Sequence, residues 1–153
     1  MKLAGKILRD QIENYRKENQ GPLVKRASEH FSTLTLGSFE RLMTDFNEKD
    51  EPVLAGIRSN GEQVHVEGMS AGTRDQLYLA LRLASLEKYM ESAEPMPFIV
   101  DDVLVDFDDA RSQAALNALA ELADKTQVIL FTHHAQVVDQ AKKLQGSVQV
   151  HDL

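Results

Sequence analysis

The fold of this 153-residue chain is decided by the stretch Met69-Ser70-Ala71-Gly72-Thr73-Arg74-Asp75-Gln76, a small-residue turn that opens a long apolar helix. The first N–H groups of a helix lack intrahelical acceptors, and the helix dipole makes that end positive. A hydroxyl at Ser70 adds a donor, and Gly72 lets a phosphate approach the backbone closely. The stretch therefore predicts a phosphate-binding helix start. The alternative is an ordinary start with Ser70 or Thr73 as N-cap, because Thr73 and Gln76 fit a capping box.

Downstream of this stretch, helices alternate with short apolar strands. The expected elements are a helix over 73–91, a strand at 98–100, a helix from Asp108 or Asp109 to about 123, a strand at 128–131, a helix from His134 to Leu144 closed by Gly146, and a strand through Val148 and Val150. This alternation predicts an α/β fold with a parallel sheet. Ligands of such sheets bind at the carboxyl ends of the strands.

Upstream, the pattern predicts two helices and a short antiparallel meander. The first helix is expected over 1–19, with Leu8, Ile12 and Tyr15 at coiled-coil spacing. The second helix is expected to begin at Gly21-Pro22 and to end at Gly37, with the apolar stripe Leu23, Ala27, His30, Phe31 and Leu34. The strands are expected at 39–46, 52–58 and 62–67, with a turn at Ser59-Asn60-Gly61. Pro22 suits the first turn of a helix, and the Asn-Gly pair is typical of a hairpin.

Composition narrows the class of protein. The apolar share of 42% is enough for a core, and the net charge of −7 argues against a stand-alone nucleic-acid binder. The chain has no cysteine, so disulfides and thiolate metal sites are excluded. No leader and no apolar run of about 20 residues is visible, which favours a cytoplasmic protein.

Two strand ends carry residues capable of chemistry. Asp101 and Asp102 follow the strand at 98–100, where a carboxylate can hold Mg²⁺ and its neighbour can orient or deprotonate water. Thr132-His133-His134 follow the strand at 128–131, where a neutral imidazole can hydrogen-bond a phosphate or water. Each motif alone has an ordinary alternative, a solvated acidic turn in the first case and a helix cap in the second.

Taken in order, these motifs resemble those of the ABC-type ATPase heads of the SMC, RecN and RecF group. They are most similar to YhaN-like coiled-coil ATPases, which are grouped with DNA-repair ATPases. The matching segments are 69–72 for the signature motif, 97–102 for Walker B, Phe107-Asp108 for the D-loop and Phe131-Thr132-His133 for the switch-histidine loop. The segment 72–84 is especially specific, and the resemblance extends from about residue 12 to 145.

The resemblance implies a P-loop NTPase-like fold, specifically the C-terminal lobe of an ATPase head, and a role for each matched residue. Ser70 and Gly72 would bind the γ-phosphate of ATP held by the opposite head, and Asp108 would lie at the dimer interface. Asp101 would help hold Mg²⁺, and Asp102 stands where the catalytic glutamate usually does. His133 would sense the γ-phosphate.

Three features depart from the family pattern. Asp102 is one methylene shorter than glutamate, and Thr73 replaces the usual glutamine of the signature. The sequence contains no G-x-x-x-x-G-K-[ST], since Gly5-Lys6-Ile7 lacks both the leading glycine and the hydroxyl. Without that loop nothing cradles the α- and β-phosphates, so tight ATP binding by this chain alone is not expected.

The resemblance places the missing loop in an N-terminal lobe that a coiled-coil arm separates from the C-terminal lobe. Residues 1–20 would then be the end of the arm, and residues 21–153 the C-terminal lobe. The leading hypothesis is an ATPase half-head that hydrolyses ATP at a head–head interface, with an N-terminal lobe, a second head and, through the full-length protein, DNA as partners. The chain alone should hydrolyse little or no ATP.

Two other hypotheses remain open at the level of sequence. The first is a non-enzymatic interaction module of the same fold, which the missing loop and Asp102 favour. The second is a phosphoesterase dependent on Mg²⁺ or Mn²⁺ that uses Asp101, Asp102, Asp106 or Asp108 with His133 or His134. The phosphoesterase would explain the acidic cluster but not the segment 69–84.

Overall fold

A computed structural model describes residues 21–47, 49, 51–144 and 148–152. The predicted end of a coiled-coil arm at 1–20 and the predicted helix stop at Gly146 lie outside these residues. The elements in chain order are a helix α1 over 21–34, strands β1 (Phe39–Phe46), β2 (Pro52–Arg58) and β3 (Gln63–His65), a 3-10 turn (Val66–Gly68), helix α2 (Ala71–Met90), strand β4 (Phe98–Asp101), helix α3 (Asp109–Ala123), strand β5 (Val128–Phe131) and helix α4 (Ala135–Ala141).

Helix α1 buries the stripe expected from its sequence. Ala27, Phe31 and Leu34 have no exposed surface. The helix ends at Leu34, and the chain turns away at the predicted Gly37, whose φ of 76° is a left-handed conformation that favours glycine. The Gly37 N–H donates to the Ser32 carbonyl at 2.8 Å, which satisfies one of the last carbonyls of the helix. Helix α1 thus forms one wall of the core.

The meander is confirmed, with a shorter third strand. β1, β2 and β3 form an antiparallel sheet in that order. The turn between β2 and β3 places Gly61 at φ 84°, with its N–H donating to the Arg58 carbonyl at 2.9 Å. The third strand ends at His65 rather than at residue 67, because Val66–Gly68 turns into a 3-10 helix that leads to α2.

Helix α2 is the central element of the core. Its buried residues lie around much of the helix and include Leu77, Leu79, Ala80, Leu83, Ala84 and Leu86. The helix begins two residues before the predicted start, because the Ser70 side chain accepts a hydrogen bond from the Thr73 N–H at 3.2 Å. The capping box proposed for Thr73 and Gln76 is therefore wrong, since Thr73 is already in the first turn and Gln76 is buried.

The second sheet consists of the parallel pair β4–β5, which confirms the α/β alternation. Asp101 pairs with Phe131, so both carboxyl ends lie at the same edge. Helix α4 ends at Ala141 rather than at Leu144, because the next bonds shorten to a three-residue span, as from the Leu144 N–H to the Ala141 carbonyl at 3.1 Å.

The predicted strand through Val148 and Val150 is absent from the described part of the chain. Both side chains are exposed, at 43% and 41%, and no neighbouring strand pairs with this segment there. Alternating valines do not make a strand without a partner to accept its backbone hydrogen bonds. Among the described residues, moreover, no helix is long and apolar enough to cross a membrane.

Candidate functional site

The parallel pair brings the two chemically suggestive strand ends together. Asp101 is the last residue of β4, and the N–H of Asp102 donates to the carbonyl of Phe131, the last residue of β5, at 2.9 Å. This bond extends the ladder by one step, after which the chain leaves the sheet. Asp102 and the segment 132–134 therefore meet at the carboxyl edge of the sheet, where ligands of parallel sheets bind.

Asp102 and His133 are in direct contact. The carboxylate oxygen Oδ2 lies 2.7 Å from His133 Nδ1. Asp102 has a φ of 50°, a left-handed conformation that is uncommon outside glycine but tolerated by aspartate and asparagine. Such conformations cluster at functional sites, where the surrounding structure holds them. The turn conformation thus directs the carboxylate toward the end of β5.

Thr132 hydrogen-bonds the second carboxylate oxygen of Asp102. Its hydroxyl donates to Asp102 Oδ1 at 3.4 Å and accepts a hydrogen bond from the His134 N–H at 3.2 Å. The same threonine therefore orients the carboxylate and the backbone that begins α4. His134 stacks against His133 with ring centroids 4.0 Å apart, and its Nε2 lies 4.0 Å from Asp102 Oδ1.

Asp101 stands apart from this group. Its side chain is exposed at the strand end and has no hydrogen bond or ion pair with any described residue. Both carboxylate oxygens are therefore available, and oxygen is the ligand that Mg²⁺ takes, usually with several waters retained. The donor fits the predicted magnesium ligand, which remains a prediction.

At the start of α2, Ser70 is exposed and already serves the helix. Its Oγ accepts from the Thr73 N–H and lies 2.8 Å from the Thr73 hydroxyl. The N–H groups of Ala71 and Gly72 are the first two of the helix, so they have no intrahelical acceptor. The alternative of Ser70 as N-cap is confirmed. Phosphate binding at this helix start stays a prediction, and the N-cap still leaves two N–H groups at a positive helix end.

Gly72 has a packing requirement that the sequence did not reveal. A Cβ at this position would lie 2.6 Å from the carbonyl oxygen of Asp106. The turn after β4 thus packs directly on the first turn of α2, and only glycine leaves room for it. The close approach for which glycine was predicted is made here by the chain's own carbonyl.

Gly72→Ala is expected to lower the free energy of unfolding by about 1–2 kcal/mol, because an overpacked contact costs more than the helix gains from alanine. Chemical denaturation measures the change. Gly68→Ala is the matched control, since its Cβ would meet only Val64 Cγ1 at an ordinary 3.5 Å. Equal stability of the two variants would contradict the packing role of Gly72.

Asp75 and Asp106 form a second acidic contact that the sequence did not predict. Burial raises the pKa of Asp75, and the charge of Asp106 and a hydrogen bond with it raise that pKa further. The two residues are 31 positions apart, so no local pattern pairs them. The contact joins α2 to the same turn whose other end carries Asp102.

Asp75→Asn is expected to stabilise the protein at pH 7 and to have little effect at pH 3. A raised pKa in the folded state means that folding disfavours the charged carboxylate, so stability falls as the pH rises above the unfolded value. Asparagine removes that charge. Thermal unfolding at both pH values measures the effect, with the exposed Asp139→Asn as control. A gain at pH 3 equal to that at pH 7 would refute the charge-based cause.

Asp108, the predicted dimer-interface residue, is the N-cap of α3. Its carboxylate accepts from the Arg111 N–H at 2.9 Å and pairs with the Arg111 guanidinium. The hydrogen bond from the Arg111 backbone, followed by that from its side chain, lowers the pKa of Asp108. Asp108 is exposed, so this local role is compatible with a contact to another molecule.

The predicted site residues therefore fall into two groups linked by the turn over 102–106. Asp102 at one end of the turn contacts His133, and Asp106 at the other end contacts Gly72. Within the described residues, no hydrogen bond or ion pair joins Ser70 to Asp101, Asp102 or His133.

Curated proteins with sequences similar to this chain include YhaN and Rad50 ATPases. The chain is 31% identical to YhaN of Bacillus subtilis over 140 residues, covering 91% of this chain and 14% of YhaN. It is 27% identical to the DNA double-strand break repair Rad50 ATPase of Sulfolobus acidocaldarius over 133 residues, covering 86% of this chain and 13% of that protein. The chain thus spans about one seventh of the length of these relatives. No family model matches it.

Solved structures show the same fold. An SMC ATPase structure from work on ATP-driven dimerization and DNA-stimulated activation superposes with a TM-score of 0.68 at 19% identity, covering 89% of this chain and 83% of that one. The Smc head of Pyrococcus furiosus bound to the C-terminal domain of ScpA gives 0.64 at 20% identity, covering 86% and 33%. The fold is that of an SMC ATPase head. More particularly, the similarity to YhaN and to the SMC heads supports the predicted C-terminal lobe of an SMC/YhaN-like ATPase head.

Proposed function

We propose that this chain supplies the C-terminal half of an ATP-hydrolysing site, completed by a P-loop-bearing N-terminal lobe and by a second head. The observation that supports this most directly is the contact of Asp102 with His133, at 2.7 Å, on adjoining ends of parallel strands. The two residues are 31 positions apart and belong to the predicted Walker B and switch-histidine motifs. Rad50 ATPases and SMC ATPases are among the similar proteins.

The chemistry follows from what each side chain can reach. The Asp102 carboxylate acts on the attacking water, which it orients and from which it accepts a proton. His133 is held at Nδ1 by Asp102, which leaves Nε2 on a largely exposed ring to hydrogen-bond the γ-phosphate. Asp101 would hold Mg²⁺, directly or through water, and the bound ion would supply neutralisation of charge on the phosphate oxygens.

The start of α2 acts on the nucleotide of the opposite head. Ser70 is exposed, and the N–H groups of Ala71 and Gly72 point from a helix end that attracts anions. No contact directs this helix start toward Asp102 or His133 within the described residues. In this proposal one chain contributes to two nucleotide sites, and ATP binding draws two heads together, with Asp108 at their interface.

The surface of the β4–β5 sheet supports docking of the missing lobe. Ile99 on β4 is 54% exposed and Phe131 on β5 is 42% exposed. A two-stranded sheet is marginal by itself and gains stability when more strands or another layer cover it. The loop-bearing lobe covers this apolar surface, and DNA acts through the full-length protein rather than through this acidic chain, whose net charge is −7.

The test is ATP turnover and association of the chain with and without a P-loop-bearing N-terminal lobe of a YhaN-like protein. We expect background hydrolysis from the chain alone, and hydrolysis with nucleotide-dependent association once the lobe is supplied. Robust turnover by the isolated chain that Asp101→Ala abolishes would refute the half-site. Failure to associate or to hydrolyse with the lobe present would favour the non-enzymatic interaction module.

A further inference from the structure

The cluster of Asp102, His133 and His134 has a property that nucleotide hydrolysis does not require. Each residue offers one ligand atom, and the three atoms lie within 4.8 Å of one another. The proposed ATP hydrolysis assigns roles to Asp102 and His133 but none to His134. The Nε2 atom of His134 is inaccessible to solvent and has no hydrogen-bond partner, although the rest of the ring is partly exposed.

An imidazole nitrogen in that state is an unsatisfied polar atom, which costs free energy unless a ligand engages it. The nearest charged group is the Asp102 carboxylate, at 4.0 Å, beyond hydrogen-bond distance. The other oxygen of this carboxylate, Asp102 Oδ2, lies 2.7 Å from His133 Nδ1. The Asp102 carboxylate therefore faces an imidazole nitrogen from each of its two oxygens.

We propose that Asp102, His133 and His134 bind one divalent transition-metal ion of the Zn²⁺ class, in a site distinct from the Mg²⁺ expected at Asp101. Two imidazoles and one carboxylate are a common three-ligand set for such ions, with the remaining position open to water. Mg²⁺ prefers oxygen ligands and is a poor match for imidazole. The proposal concerns the chain alone and does not depend on ATP hydrolysis.

The geometry requires only small adjustments. Bonds of about 2.0–2.1 Å in a tetrahedral site set the ligand atoms about 3.3 Å apart. The present nitrogen–oxygen separations lie on either side of that value, at 2.7 Å from His133 Nδ1 to Asp102 Oδ2 and 4.0 Å from His134 Nε2 to Asp102 Oδ1. The His133 side chain is 73% exposed, whereas Asp102 is held by its turn and by the Thr132 hydroxyl. Thr132 is thus an outer partner that orients the carboxylate ligand.

The experiment uses the 153-residue chain after removal of metals by a chelator. Titration calorimetry with Zn²⁺ and absorption spectroscopy with Co²⁺ should each show one ion per chain, with the Co²⁺ bands typical of a tetrahedral site. His134→Ala and Asp102→Asn each remove a ligand and should weaken binding by at least about 10-fold, the lower bound for loss of an outer partner. A large excess of Mg²⁺ should not displace the ion.

The controls separate this site from incidental surface binding. His65→Ala removes another imidazole beside a carboxylate, since His65 Nε2 lies 3.5 Å from Asp45, and should leave the affinity unchanged. His134 makes no side-chain cap bond in α4, so His134→Ala should keep the fold, which circular dichroism verifies. The proposal would be overturned if no one-to-one binding of the metal ion were found. It would also be overturned if His134→Ala left metal binding intact, or if His65→Ala lost as much metal affinity as His134→Ala. Its failure would leave the hydrolytic proposal standing, because that is measured with ATP and Mg²⁺.

Discussion

Asp102→Asn is expected to reduce ATP turnover by the completed head by about 100- to 10,000-fold, the range for loss of a general base. The substitution keeps the size of the side chain and removes the charge that acts on the attacking water. Asparagine is also among the residues that tolerate a positive φ, so the value of 50° at this position is retained. The loss should therefore be catalytic, with thermal unfolding nearly unchanged.

His133→Ala provides the second arm of this experiment. Because Asp102 and His133 are in contact at 2.7 Å, their contributions should be coupled, and the double variant should lose little more activity than Asp102→Asn alone. Steady-state turnover of both single variants and the double variant measures the coupling. Asp124→Asn, an exposed substitution at the end of α3, is the charge-matched control. Unchanged turnover in both single variants would refute the motif assignment.

Ser70→Arg is expected to abolish ATP-driven association of two completed heads. The arginine places a long side chain where the first N–H groups of α2 would meet the phosphate held by the partner. It also removes the cap that accepts from the Thr73 N–H, at a cost of about 1 kcal/mol of stability. Size-exclusion chromatography with ATP measures the association in a hydrolysis-deficient background such as Asp102→Asn.

Two controls separate the cap from the interface. Ser70→Ala removes the cap without blocking the helix start and reports the stability cost alone. Ser85→Arg puts the same charge on the exposed side of α2, about 22 Å along the helix from Ser70. Only Ser70→Arg should prevent association. If Ser85→Arg prevents it equally, general repulsion rather than the helix start explains the loss.

Much of the fold could be predicted because its signals are local. The spacing of Ala27, Phe31 and Leu34 predicted the buried face of α1, and the turn at 59–61 predicted the β2–β3 hairpin. The strand through Val148 and Val150 was predicted wrongly, since alternation over three residues says nothing about whether a partner strand is present. The end of α4 was misplaced for a similar reason, because helix ends depend on hydrogen bonds that the pattern does not encode.

The residues of the candidate site could likewise be predicted from the sequence, whereas some of their contacts could not. Its residues were identified from their order along the chain and their places at strand ends, which parallel β4 and β5 bring to one edge. The contact of Asp75 with Asp106 was not foreseen, and neither was the approach of the Asp106 carbonyl to Gly72. Both depend on how the turn after β4 packs on α2, and that packing connects residues more than 30 positions apart.

The sequence by itself determined the alternation of helices and strands, the residue types at each strand end and the likeness to an ATPase head lobe. These follow from periodicity, turn chemistry and motif order, each of which is read within a few residues. Only the tertiary structure decided that His133 and His134 converge on Asp102, that Gly72 is required by a neighbouring carbonyl, and that Asp101 contacts neither group among the described residues. The physical reason is that distances between residues remote in sequence are set by packing and strand register, which no local pattern specifies.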